Sequence, residues 1–203
     1  MDSDAVLPLA AVATTLALFG TSIVSARRYI ATSSTAGESH IPFLAQFANC
    51  SLWIKYALAT ADPPVLIVNL AGAACSLYAA HSFWSASTHE SRQIVEKHLA
   101  IAVVALVVAL YYVKAWDPDA LGFFAASGSI AMFASPLAGL ATAISTKSTL
   151  HMSLPLSLAS TVVPLLWTLY GLSRTDPVMY VPNAIATVLG GIGLALFAVY
   201  GRR

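Results

Sequence analysis

Charge is what this chain has least of. Only 9% of its 203 residues are Asp, Glu, Lys or Arg, against 58% hydrophobic, with a mean hydropathy of +0.77. A water-soluble domain carries about 25% charged residues, so this chain has too few to cover a surface facing water, and a soluble enzyme is excluded. A formal net charge of +1 supplies no basic footprint for nucleic acid. Cysteine is scarce as well: Cys50 and Cys75 both fall inside apolar stretches, where they read as packing residues and not as a disulfide. What is abundant is apolar sequence, enough for an integral membrane protein of at most about eight or nine spans at about 20 residues each.

Charges and turn residues cut the chain into seven apolar segments, near residues 5–25, 41–60, 64–85, 98–113, 119–145, 151–173 and 178–200. The opening Met1-Asp2-Ser3-Asp4 is acidic where a secretory signal is basic, so the first segment is expected to be retained. The fourth segment is short and needs Lys97 and Lys114 to snorkel at its ends. The loops after segments one, three and five, with the C-terminus, hold Arg27, Arg28, Arg92, Lys97, Lys147, Arg202 and Arg203; the other side holds Lys55, Lys114 and Arg174. Seven cations against three predict the first side as cytoplasmic and the N-terminus as outside.

The chain also repeats itself. At an offset of 114, Phe19 meets Phe133, Ile30 meets Ile144, Thr32, Ser34 and Thr35 meet Thr146, Ser148 and Thr149, Trp53 meets Trp167, Tyr56 meets Tyr170, Leu58 meets Leu172, Asp62 meets Asp176, Pro63 meets Pro177 and Asn69 meets Asn183. Segments one to three thus map onto five to seven, leaving the fourth as a linker. The expected organisation is a first three-helix repeat over 1–90, a linker helix over 91–117 and a second repeat over 118–203. A shift of four spans keeps both copies in one orientation, so the repeats are parallel and related by an axis along the membrane normal. The fold class is therefore all-α, seven transmembrane helices arranged three, one and three.

No Asp or Glu lies deep in any segment. Proton- or sodium-coupled transport ordinarily uses ionisable groups inside the membrane, so the expected activity is passive, uncoupled movement of a neutral solute. No cofactor or metal is expected, because His40, His81, His89, His98 and His151 are scattered at segment ends and not at ligand spacing. Asn69 and Asn183 are the leading substrate contacts, since an amide both donates and accepts, as sugar hydroxyls do. A lone membrane asparagine reads more readily as a helix–helix bond; the symmetric pair shifts the reading toward a site. Trp53 and Trp167, each sixteen residues before its asparagine, offer indole faces for the C–H face of a sugar ring. Tyr56 and Asp176 lie nearer the outer ends and suit an external gate. Pro42, Pro136, Pro155, Pro164 and Pro182 are expected to interrupt spans, and the first three are the hinge candidates. Gly190, Gly191 and Gly193 are expected to permit close helix contact.

These residues resemble the SWEET sugar transporters. The resemblance rests on Ile41-Pro42-Phe43 followed by Asn49, Trp53 and Tyr56, on Ser135-Pro136-Leu137, Thr146-Lys147-Ser148 and Leu156-Ser157-Leu158, and on Trp167-x-x-Tyr170-Gly171 and Pro182-Asn183, and it covers nearly the whole chain. It implies facilitated, bidirectional movement of a mono- or disaccharide by alternating access. It also implies sugar contacts at Asn69, Asn183, Trp53 and Trp167, an external gate at Tyr56 and Asp176, and a selectivity pocket of Leu18, Asn49, Met132 and Val163. Three of those four are fairly large, which favours a hexose such as glucose. The chain departs from the family pattern at Ser22 and Ser153, where prolines are typical, with Pro155 two residues beyond the latter, at Pro164, and at Gly193, where a Gln is typical. Expected partners are the sugar and membrane lipid, with a homo-oligomer compatible and no nucleic acid; the plasma membrane is the expected location, with an internal membrane as the alternative. A seven-helix receptor or retinal protein is the alternative, but no lysine lies deep in a late segment. A membrane scaffold without a transport path is a third reading, disfavoured by the paired Asn and Trp.

Overall fold

The computed structural model describes residues 3–112 and 117–201. Lys114, Arg202 and Arg203 of the charge count, and Val113 at the end of the fourth segment, lie outside them. The described chain is all helix and loop: α1 (Ser3–Thr32), α2 (Ile41–Thr60), α3 (Pro63–Ala86), α4 (His89–Tyr112), α5 (Pro118–Ala131), α6 (Ala134–Thr146), α7 (Leu154–Ser173) and α8 (Pro177–Tyr200). Six runs are long and apolar enough to cross a membrane, with α5 and α6 counted as one run, Pro118–Thr146. The seventh, α2, matches α7 in length, but Gln46, Asn49, Ser51 and Lys55 make it less apolar.

The outward faces fit lipid. Val104 is 63% exposed and Val107 58% on α4. A row of bare valines would be a liability in water and is ordinary where the solvent is hydrocarbon.

Two helices differ from the expected spans. The fourth does not begin at His98 but at His89, because Glu90, Arg92, Gln93, Glu96 and Lys97 are adequate helix formers. Arg92 also docks this polar turn on the end of α3, donating to Trp84 O at 3.0 Å and Ser85 O at 2.6 Å, carbonyls of the last helical turn, which lacks its own full set of donors. At 24 residues α4 is about 36 Å long, but its added turns are charged, so its apolar run still starts near His98. The fifth run is broken at Met132 and Phe133. Pro136, one turn on, has no N–H to give Met132 O, and its ring crowds that carbonyl. The turn tightens instead: Phe133 N bonds Ile130 O at 3.0 Å, and α6 restarts with Leu137 N on Phe133 O at 2.9 Å.

Other prolines fall elsewhere than expected. Pro42 and Pro155 do not interrupt their spans; they sit in the first turns of α2 and α7, where a missing N–H costs no bond. Pro164 and Pro182 do lie inside α7 and α8.

The repeat is visible in the backbone. Ser33 and Lys147, 114 apart, both take positive φ, 50° and 51°, and so do Ala61 and Thr175, at 52° and 51°. Thr32 and Thr146 each turn their hydroxyl back to the preceding turn, on Arg28 O and Thr142 O. Asp62 N and Asp176 N each close the loop on Ala57 O and Gly171 O at 2.9 Å.

By contacts the chain forms two compact units, one of Thr15–Ala125 and one of the start of α1 with everything from Ala126 onward. In the first, α2 packs along α3 and α4 touches both. Lys55, counted above as an outer-side charge, donates its ammonium to Leu110 O on α4 at 2.6 Å, which ties α4 to α2. Tyr29, Phe83 and Val95 form a buried cluster with Phe43 against it. In the second unit α7 packs along α8, and α6 reaches α8.

Candidate functional site

Each unit holds the same cluster. In the first, Asp62 caps α3 by accepting from Val65 N at 3.1 Å, and Pro63 follows at the first helical position, where its fixed φ is favourable. That cap sets the start of the helix and hence the depth of Asn69, six residues beyond Pro63 and about 9 Å along the axis. In the second unit Asp176 accepts from Met179 N at 3.2 Å, Pro177 follows, and Asn183 sits at the same depth.

The asparagines are oriented alike. Asn69 donates one amide hydrogen to Val65 O, and Asn183 one to Met179 O, both at 2.8 Å. Both are half-buried, and among the described residues neither amide bonds to another helix. Each therefore keeps one N–H and a carbonyl oxygen for something else. This geometry opposes the helix–helix reading of a membrane asparagine.

The aromatics repeat too. Trp53 stands edge-to-face on Tyr56, with centroids 5.4 Å apart and planes at 86°; Trp167 stands on Tyr170 at 5.6 Å and 80°. All four are buried, at 5–8% exposure, so the indoles are packed in place and not floating in an interfacial belt. Sequence reasoning named Tyr56 and Asp176 as gate residues but not Tyr170 or Asp62, although the offset of 114 pairs them. Tyr56 and Asp176 are placed at the Asp62 and Asp176 ends of their helices, with Asp176 engaged at the start of α8.

Of the four expected selectivity positions, Asn49 lies one turn before Trp53 on α2, and Val163, 8% exposed, one turn before Trp167 on α7. Leu18 is half-buried on α1, and Met132 sits at the break between α5 and α6. Gln46, one turn before Asn49, was not anticipated. Its Nε2 is buried with no hydrogen-bond partner among the described residues, an uncommon state for an amide.

The histidines are not all scattered. His40 Nε2 lies 2.8 Å from His98 Nδ1, the rings stacked at 22° with centroids 5.1 Å apart. No local pattern foretells a pair 58 residues apart in sequence. One ring must donate and the other accept, so the contact tolerates one shared proton and opposes a second. Burial first, then the neighbouring His98, holds the His40 pKa below its ordinary value of 6.5. In the unfolded chain His40 titrates at that ordinary value. As pH falls through it toward the lower folded value, the unfolded chain binds more protons and the fold loses stability. The melting temperature in detergent is expected to drop between about pH 7.5 and about pH 5.5. His40→Gln should flatten that slope, and an unchanged slope in the variant refutes the assignment.

Residues 5–91 and 119–203 each match the family model described as "Sugar efflux transporter for intercellular exchange". Among similar proteins, Sugar transporter SWEET1 of Xenopus tropicalis is 32% identical over 208 residues, covering 98% of this chain and 95% of its own. Sugar transporter SWEET1 of Rattus norvegicus is 30% identical over 202 residues, covering 98% and 91%. A solved structure of a eukaryotic SWEET transporter superposes with a TM-score of 0.86 at 28% identity, covering 96% of this chain and 94% of the other.

Proposed function

This chain belongs to the SWEET (MtN3) family of sugar transporters, and from that premise we propose that it carries a monosaccharide such as glucose, in either direction, down its gradient. One asparagine and one tryptophan from each repeat engage the sugar. Asn69 and Asn183 exchange hydrogen bonds with its hydroxyls, and Trp53 and Trp167 cover its C–H faces. Leu18, Asn49, Met132 and Val163 set the size admitted. Tyr56 and Asp176 close the outer side, Pro136 marks where its span flexes as access alternates, and Pro42 and Pro155 mark the ends about which α2 and α7 swing. The working units of that exchange are the repeats 1–90 and 118–203, joined by the linker 91–117.

The observation that carries this reading is the matched pair of asparagines, each with one N–H and one oxygen unused by its own fold. In each unit a donor–acceptor amide, with a buried indole sixteen residues before it, suits a neutral polyol, and neither side chain carries a charge. Lack of coupling is supported by where the acids lie. Asp62 and Asp176 are helix caps, Asp117 and Asp119 flank the start of α5, Glu38 is in a loop, and Glu90 and Glu96 are in the first two turns of α4. None sits mid-span, where a coupling carboxylate belongs. The charge bias supports an outside N-terminus, and the plasma membrane is the proposed location.

Counterflow of radiolabelled glucose into liposomes preloaded with unlabelled glucose tests this directly. Uptake is expected without any ion gradient and unchanged when an uncoupler collapses a proton gradient. Absence of counterflow with every member of a panel of mono- and disaccharides would overturn the reading.

A further inference from the structure

We propose that the cavity inside the second unit is a second sugar subsite, a hydroxyl-bearing stop between Asn183 and the His151 end of the helices. It rests on the transport reading above and extends it.

The cavity is about 470 Å³, within the range of small-molecule sites. It is walled by Pro136 and Leu140 of α6, Ser157 and Ser160 of α7, and Gly190 and Gly193 of α8. Helical spacing joins it to the candidate site. On α8, Asn183, Ala186, Gly190 and Gly193 follow one another at steps of three, four and three, so one face carries the asparagine and the cavity wall. On α7, Ser157, Ser160, Val163 and Trp167 do the same, following Ser153 at its N-cap. Both walls thus run on into the faces that hold Trp167, two turns beyond Ser160, and Asn183, one turn before Ala186.

Its chemistry is that of a polyol site. Ser157 is only 8% exposed. Its carbonyl accepts from Ser160 Oγ at 3.2 Å and Thr161 Oγ1 at 2.8 Å, while its own hydroxyl has no hydrogen-bond partner among the described residues. Ser157 Oγ lies 3.9 Å from where a Cβ on Gly193 would stand, beside Leu140 and Met152 at 3.5 Å. That hydroxyl opens on the cavity beside an apolar wall, where it can both donate to and accept from whatever fills the space. A sugar supplies both a hydroxyl for Ser157 and C–H surface for Leu140 and Met152.

Along α7 and α8 the first repeat carries bulkier residues, although at Pro136 and Leu140 of α6 it carries the smaller Ser22 and Ala26. The residue 114 before Ser157 is Phe43, which packs edge-to-face on Tyr29 at 6.2 Å. Ser160, Gly190 and Gly193 correspond to Gln46, Ser76 and Ala79, each larger, with Ser76 and Ala79 fully buried. The second repeat has the smaller residue at all four positions along this seam.

The test uses full-length protein, with glucose binding measured in detergent and counterflow measured in liposomes. Ser157→Phe restores the first repeat's residue and fills the cavity; Ser157→Ala removes only the hydroxyl. Both are expected to bind glucose within about twofold of wild type, because Asn183 and Trp167 are untouched. The counterflow rate should fall about fivefold or more in the first and about two- to threefold in the second. Wild-type counterflow in Ser157→Phe overturns the subsite and leaves the transport reading standing. Loss of glucose binding in Ser157→Ala also overturns it, since Ser157 would then belong to the primary site. If Ser157→Phe does not fold, Gly193→Val, whose Cβ meets only ordinary contacts, narrows the same space and must slow counterflow for the proposal to stand. A wild-type protein that moves no sugar overturns the transport reading itself and the subsite with it.

Discussion

Replacing Asn183 by alanine is expected to cut glucose counterflow about thirtyfold or more, and Asn69→Ala by a similar factor. Each amide spends one hydrogen on the carbonyl four residues back, Met179 O or Val65 O. That bond fixes the side-chain rotamer, leaving one N–H and the carbonyl oxygen to meet the substrate. Truncation removes up to two hydrogen bonds and strands the sugar hydroxyls that made them. An unsatisfied polar group costs about 1–3 kcal/mol, and a loss of about 2 kcal/mol is already roughly thirtyfold. The fold loses only a bond within one helix, so melting temperatures should stay close to wild type in both variants. That separates a site from a structural role. Equal effects are part of the expectation, because the two side chains have the same depth, the same partner four residues back and the same distance of 2.8 Å. Robust counterflow in both variants would remove the asparagines from the site. A large effect in one alone would break the symmetry on which their assignment rests.

Much of this was legible in the sequence because it is periodic or duplicated. Apolar runs bounded by charge locate helices, since lipid forces every backbone group to be satisfied within its own segment. The Asp–Pro pairs at 62–63 and 176–177 mark helix starts by cap chemistry alone, and from there Asn69 and Asn183 follow by counting. What escaped the sequence depends on the absolute geometry of particular turns. The early start of α4 was hidden because its first turns are charged, and charge reads as loop when lipid is the assumed solvent; Arg92 on the carbonyls of α3 makes that segment helical. The break at Met132 is the work of Pro136, yet Pro164 sits inside an unbroken α7, so the residue type alone does not tell a break from a tolerated proline. The His40–His98 contact joins elements 58 residues apart and has no local trace. The cavity in the second repeat arises from differences between the copies, at 43 and 157 or 76 and 190, whereas the repeat was found by looking for matches.

The same divergence makes neighbouring glycines behave oppositely. A Cβ on Gly190 would stand 2.5 Å from Thr161 Oγ1 and 2.6 Å from Ser160 O, whereas one on Gly191 meets nothing within 4 Å. Thr161 is a side chain and can turn, but Ser160 O belongs to the backbone of α7 and moves only if the helix moves. The α7–α8 contact is the principal seam of its unit, so Gly190→Ala has to part the two helices along their length. Overpacking of this kind costs about 1–3 kcal/mol, and at about 2–4 °C per kcal/mol for a chain of this size the melting temperature should fall by roughly 5 °C. Gly191→Ala should leave it unchanged or raise it slightly, because alanine is favoured over glycine in a helix by about 0.5–1 kcal/mol. Gly72 gives an intermediate case. Its added Cβ would meet Phe19 Cε2 at 2.7 Å and Cys50 Sγ at 2.8 Å, both ends of side chains that can shift, so Gly72→Ala should cost less than Gly190→Ala. The order expected in detergent is Gly190→Ala lowest, Gly72→Ala next and Gly191→Ala at or above wild type. If Gly190→Ala melts with Gly191→Ala, α7 and α8 are not in the close contact that brings Gly190 against Ser160 O, and the cavity wall built on that contact falls with it.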